Sequence, residues 1–188
     1  MKKERALEIK SLFLVYGTLI LFACLGDWFS HHQTLWVWKE SHLEHPSFIF
    51  VGFAFVFFYV AGAMLASRMF SWATELEKIF AQVMTPLSYF QIFYLSILSG
   101  FTEEWFFRGI LLNHFGIIIS SMIFSVAHFL PSRSLWAWPL ISFFAGTFFG
   151  ALYFYSESLL LVAIVHTSIN IILLFRLNQA TVQSPSLT

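Results

Sequence analysis

The chain has 188 residues, enough for one compact domain, of which 59% are hydrophobic and only 11% charged. A soluble domain averages about 25% charged residues, so lipid must cover much of this surface. The formal net charge is zero, which gives no reason to expect nucleic acid as a partner.

The N-terminus reads Lys2, Lys3, Glu4, Arg5 and Lys10 before an apolar run. That run is long, Gly26-Asp27-Trp28 is a poor small-residue cleavage site, and further apolar runs follow. An uncleaved first span is expected rather than a signal peptide. Cys24, the single cysteine, cannot form an internal disulfide and is expected to be a small core residue.

A spanning helix needs roughly 20 apolar residues. About six candidates follow, at approximately 11–30, 48–67, 87–112, 116–130, 137–155 and 158–175. The fourth is short, with ends marked by Gly116 and Pro131. Between the first two spans lie His31, His32, His42, His45 and Glu44. They could form a loop metal site, but an interfacial loop with Trp28, Trp36 and Trp38 at headgroup depth is the expectation. Ser71 to Thr85 carries Glu75, Glu77 and Lys78 beside Trp72, Leu76, Ile79, Phe80 and Val83. That spacing suits an amphipathic helix on the membrane surface. Asn178 to Thr188 is polar and expected to fray.

The expected fold is all-α, a polytopic transmembrane helical bundle of about six spans plus one interfacial amphipathic helix. Residues 1–86 hold two spans and the interfacial helix, 87–176 a core carrying the chemistry below, and 177–188 the polar tail. With the N-terminus inside, the inner segments hold Lys2, Lys3, Arg5, Lys10, Arg68, Lys78, Arg133 and Arg176, against Lys39 and Arg108 outside. The positive-inside rule then predicts a multi-pass protein of the cell membrane with both termini cytoplasmic.

Ionisable residues within spans are costly and are functional candidates by default. Thr102-Glu103-Glu104-Trp105-Phe106-Phe107-Arg108-Gly109 places two adjacent carboxylates in an apolar helix. Glu104 and Arg108 are four apart and can pair. Glu103 points about 100° away and lacks that partner, so it is a candidate base. A helix-end cap or a surface charge cluster would be the plain structural reading. Phe124-Ser-Val-Ala-His128 supplies a lone intramembrane histidine, which alone could equally be a packing residue. His166-Thr-Ser-Ile-Asn170 puts an imidazole and an amide on one helix face, where an interhelical polar clasp is the plain alternative.

Taken together, the order Glu-Glu-x-x-x-Arg, Phe-x-x-x-His and His-x-x-x-Asn resembles the CPBP family of intramembrane proteases. That family includes the CAAX prenyl endopeptidases and bacteriocin-processing or immunity proteins. The resemblance covers roughly residues 88–175, and the first two spans do not contribute to it. It implies a helical bundle with a site recessed in the membrane. Glu103 would activate the attacking water, His128 and His166 would line the site, and Asn170 would help bind the oxyanion. Glu104 and Arg108 would mainly organise the helix. The substrate would be a membrane-anchored or lipidated protein or peptide.

Glu103, His128 and His166 would also make a His₂Glu zinc set with an open position. The pattern lacks His-Glu-x-x-His, and the resemblance favours a metal-free glutamate mechanism, so no cofactor is expected, with zinc as the alternative. Counting along the spans, Glu103 lies about 24 Å and His166 about 12 Å from their helix starts, an outer-half position for both. His128 disagrees, but two positions against one suggest a site opening outward. That would suit trimming a C-terminal membrane anchor or sorting signal, whereas a CAAX-like tail would need cytosolic access. A non-enzymatic immunity or binding protein, or a transporter, could use the same buried charges. No phosphate- or headgroup-binding motif supports a lipid-modifying enzyme.

Overall fold

The computed structural model describes residues 2–30, 46–129 and 135–183. His31, His32, His42, His45, Glu44, Trp36 and Trp38 lie outside the described residues. The described residues are helical, without a strand. Helix α1 spans Lys2–Ser30, α2 Pro46–Met69, α3 Ser71–Met84 and α4 Tyr89–Glu104. A π-helical segment, Trp105–Leu112, continues α4 into α5, Asn113–Ala127, and α6 (Ala137–Ser156) and α7 (Leu159–Gln183) follow. In hydrocarbon every backbone polar group must be satisfied within its own segment, which is why so apolar a chain folds as helices.

Among the described residues, four stretches are long and apolar enough to cross a membrane: Pro46–Met69, Tyr89–Ala127, Ala137–Ser156 and Leu159–Ala180. The apolar part of α1, Leu14–Phe29, is shorter. Tyr89–Ala127 is not one straight rod. It breaks at Gly116, whose φ of 75° and ψ of 175° are open to glycine and strained for any residue with a Cβ. The remainder of α5 folds back against α6, where Ser125 Oγ donates to the Pro139 carbonyl at 2.7 Å. The boundary at Gly116 expected from the sequence is therefore a backbone reversal.

Cross-helix contacts set the directions. Leu87 meets Asn178, Ser99 meets Asn170 and Glu104 meets His166, so α4 and α7 are antiparallel. Tyr16 meets Glu103 and Asp27 meets Trp105, so α1 runs parallel to α4. Val56, Val60, Leu112, Phe149, Leu152, Leu159, Val162 and Val165 form the apolar core between α2, α6 and α7. The outer surface is apolar too, with Phe58, Phe90 and Val126 each more than two-thirds exposed. Such a surface suits lipid and would be an aggregation hazard in water.

Two expectations change. Cys24 is exposed rather than in the core, because a lipid-facing position is as apolar in sequence as a buried one. Helix α3 is amphipathic, as expected, and has protein partners as well. It packs on α2 and α7, burying Ala73, Leu76 and Ala81, while Val83 is exposed. The polar segment from Asn178 is helical through Gln183, and Asn178 bridges both backbone groups of Leu87, at 2.8 and 3.1 Å. Those two bonds satisfy backbone groups just ahead of α4 and tie the end of α7 to it.

Candidate active site

Helix α4 starts with a capping box. Ser88 Oγ accepts from the Gln91 N–H, and the Gln91 side chain accepts from the Ser88 N–H. Downstream, Ser96, Ser99, Gly100, Thr102, Glu103 and Glu104 are all buried. Gly100 lets α7 come close. A Cβ there would lie 2.9 Å from the Thr167 backbone nitrogen and would collide with the Thr167 hydroxyl. This approach sets the paired glutamates opposite His166. Immediately after Glu104 the helix widens into the π-helical turn, a rare geometry frequent at functional sites.

The two glutamates serve different partners. Glu104 is fully buried, and its Oε1 accepts from Arg108 Nη1 at 3.0 Å and from His166 Nδ1 at 2.7 Å. An ionised carboxylate only accepts, so Nδ1 carries the proton of that second bond. Arg108, 1% exposed, also donates through Nη2 to the Gly146 carbonyl at 3.0 Å, and its guanidinium lies 4.6 Å from the Phe124 ring centre. The expected Glu104–Arg108 pair is present. Glu104 additionally fixes His166, which stacks on Phe149 at 4.9 Å between ring centres.

Glu103 faces another way. Its Oε1 accepts from Ser99 Oγ at 2.7 Å and from Tyr16 Oη at 3.4 Å. Among the described residues its Oε2 is buried without a hydrogen-bond partner, and it lies 3.8 Å from His128 Nε2. His128 Nδ1 donates to the Phe124 carbonyl at 2.7 Å, which turns the other ring nitrogen towards Glu103. Asn170 Nδ2 donates to Ser99 Oγ at 3.1 Å. Thus Glu103, His128 and Asn170 are linked directly or through Ser99. His166 lines the same cavity but is bonded to Glu104, not Glu103. His114 is exposed and lines a separate small pocket with Gly26 and Phe29, not the cavity of this cluster.

Ser99 and Tyr16 are site residues that the sequence motifs do not name. Ser99 precedes Glu103 by four residues, the spacing that places it on the same face. Tyr16 comes from α1 and has no local signal at all.

All four candidate residues line a cavity of about 590 Å³. Its walls are mainly apolar, including Phe58, Tyr59, Leu76, Phe80 and Leu173, and it reaches Ser67, Glu77 and Arg176. Arg176 Nη2 bonds Glu77 Oε2 at 2.9 Å and Ser67 Oγ at 2.8 Å, tying α7 to α3 and α2. The cavity therefore extends from Glu103 to the α3 end of the bundle. Helix α1 begins and α7 finishes at that same end.

A zinc ion would need Glu103, His128 and His166 to converge, with ligand atoms about 2.0–2.2 Å from the metal. Among the described residues no group of three or more His, Cys, Asp or Glu side chains is arranged to hold a metal ion. His166 gives Nδ1 to Glu104, which leaves Nε2 as the atom that would meet a metal.

Residues 85–172 match the family described as type II CAAX prenyl endopeptidase Rce1-like. A stretch of 64 residues is 39% identical to the uncharacterized protein YpbD of Bacillus subtilis (strain 168), covering 34% of this chain and 30% of that one. The chain thus spans less than a third of that relative's length in the match. No solved structure matches. The three motifs and the buried glutamate pair they build fall within the matched residues 85–172, and that region is similar to the Rce1-like family of type II CAAX prenyl endopeptidases.

Proposed function

We propose that this protein is an intramembrane endopeptidase that hydrolyses a peptide bond of a membrane-anchored or lipidated substrate by glutamate-activated water. The observation that carries this reading is the unpartnered Glu103 Oε2, buried at the cavity wall 3.8 Å from His128 Nε2. Both atoms present lone pairs when Nδ1 of His128 holds the ring proton. A water about 2.8 Å from each would subtend an angle of about 85°, not far from its own H–O–H angle. It would donate one hydrogen to each group and leave its oxygen lone pairs facing the cavity.

In the reaction, Glu103 takes one water proton as the oxygen attacks the scissile carbonyl carbon. The C–O bond forms and the carbonyl oxygen becomes an oxyanion. The second N–H of Asn170 is the donor for the place where that charge develops, and the outward ring nitrogen of His166 joins it only as the imidazolium, with a proton on each nitrogen. Glu103 then passes the proton to the departing amine as the C–N bond breaks. No metal is required by these steps. The apolar cavity wall accommodates the lipid or helical anchor of the substrate, and the α3 end is its entrance. Under the positive-inside rule that end is cytoplasmic, which favours a CAAX-like tail over an exported sorting signal.

The test is turnover of an internally quenched peptide with a prenylated CAAX tail, by protein reconstituted in lipid nanodiscs. Wild type should cleave it, and Glu103→Gln should lose at least about 10²-fold in kcat, the scale of a positioned general base. Glu103→Gln with near wild-type turnover would overturn the mechanism. Cleavage of a transmembrane-anchored peptide in preference to the prenylated one would overturn the substrate assignment alone.

A further inference from the structure

We infer that Ser99, seated by Asn170 and assisted by Tyr16, is the positioning residue that holds the Glu103 carboxylate with one oxygen bound and the other free. The inference rests on the reading of Glu103 as the base and adds to it the groups that orient that base.

A serine inside a helix ordinarily donates its hydroxyl proton back to the carbonyl one turn earlier. Ser121, Ser156 and Ser168 do so here, to Ile117, Leu152 and Ile164 at 2.7, 2.6 and 2.8 Å. Ser99 departs from this habit. It donates forward to Glu103 Oε1 at 2.7 Å, the short distance of a charge-assisted bond. A hydroxyl has one proton and two lone pairs. Asn170 Nδ2 donates into the oxygen at 3.1 Å and so leaves the proton for Glu103. The direction of the chain is fixed from amide to hydroxyl to carboxylate.

The result is an asymmetric carboxylate. Oε1 carries the Ser99 bond and the longer Tyr16 bond at 3.4 Å, while Oε2 carries none. Ser99 and Glu103 are shielded, at 8% exposure each, so water does not substitute for their bond at low cost. Rotation of the carboxylate would break the Ser99 bond without a replacement, and Oε2 is thereby kept towards His128. Asn170 acquires a second duty beyond lining the oxyanion position, because it decides where the Ser99 proton goes. Tyr16 lies on α1, outside the family-matched residues 85–172, so the N-terminal span completes this arrangement.

Two measurements test this. In turnover of the prenylated quenched peptide, Ser99→Ala should lower kcat by about tenfold to hundredfold with KM changed less than about twofold. Ser99→Thr, which keeps the hydroxyl, should restore most of kcat, and Tyr16→Phe should lose less than Ser99→Ala. Independently of any substrate, the Glu103 carboxylate bands can be isolated as the infrared difference between wild type and Glu103→Gln. Ser99→Ala should shift those bands, and Asn170→Ala should shift them in the same sense. Unmoved bands in Ser99→Ala, or a wild-type kcat in that variant while Glu103→Gln is inactive, would overturn the inference and leave the base assignment standing. Shifted bands with an active Glu103→Gln would instead remove the base assignment and keep the bonding scheme. If Ser99→Ala fails to fold, Ser99→Cys, whose thiol is a weak donor, serves in its place with the same expected shift.

Discussion

Arg108 is the residue whose removal the packing makes most costly. It is 1% exposed and donates to Glu104 and to the Gly146 carbonyl, each at 3.0 Å. Its guanidinium also lies over Phe124. Arg108→Met keeps the apolar bulk but leaves Glu104 with His166 alone and the Gly146 carbonyl without that donor. Breaking a buried ion pair by removing one partner costs about 3–5 kcal/mol. The Gly146 carbonyl lies inside α6 and keeps its helical bond, so losing the Arg108 donor there adds less. These contributions overlap, so the expected loss is about 4 kcal/mol, read by reversible unfolding in mixed detergent micelles. Arg108→Lys keeps the charge but not the fork that reaches two acceptors at once, and should lose roughly half as much. The reasoning fails if Arg108→Met unfolds within about 1 kcal/mol of wild type, because the pair would then be compensated by something other than these bonds.

Gly100→Ala should separate α4 from α7 at Thr167, costing about 1–3 kcal/mol and lowering turnover together, as seen by melting and the quenched-peptide assay. Unchanged melting would show that the contact at Gly100 is not tight. Dialysis against a chelator should leave activity intact, and metal analysis of the purified protein should find less than stoichiometric zinc. Loss of activity restored by zinc would refute the metal-free mechanism. Glu77→Gln should destabilise by less than about 1 kcal/mol, since the Glu77–Arg176 pair is partly exposed and screened. A larger loss in denaturant titration would mean that this clasp anchors α3 across the cavity entrance.

Much of the fold can be read along the chain for a simple reason. Lipid tolerates only backbone that satisfies itself, so an apolar run of sufficient length is a helix wherever it packs. The turn at Gly116 is local as well, since its dihedral angles are open to a residue without a Cβ. The Glu104–Arg108 pair is equally local, being set by one turn of helix. What a run of apolar residues cannot show is which face meets lipid and which meets protein, because both are hydrophobic. Cys24 fell on the lipid side for that reason.

The candidate site divides along the same line. Its residues Glu103, His128, His166 and Asn170 are legible as costly polar groups in apolar spans, and their spacing carries the family. Their partners are not legible, because the rotation of one helix about its axis relative to another is fixed by packing alone. The approach of α7 at Gly100 gives His166 to Glu104 and leaves Glu103 to Ser99, Tyr16 and the neighbourhood of His128. Only the assembled bundle could decide that division, and with it the direction in which the cavity leaves the site.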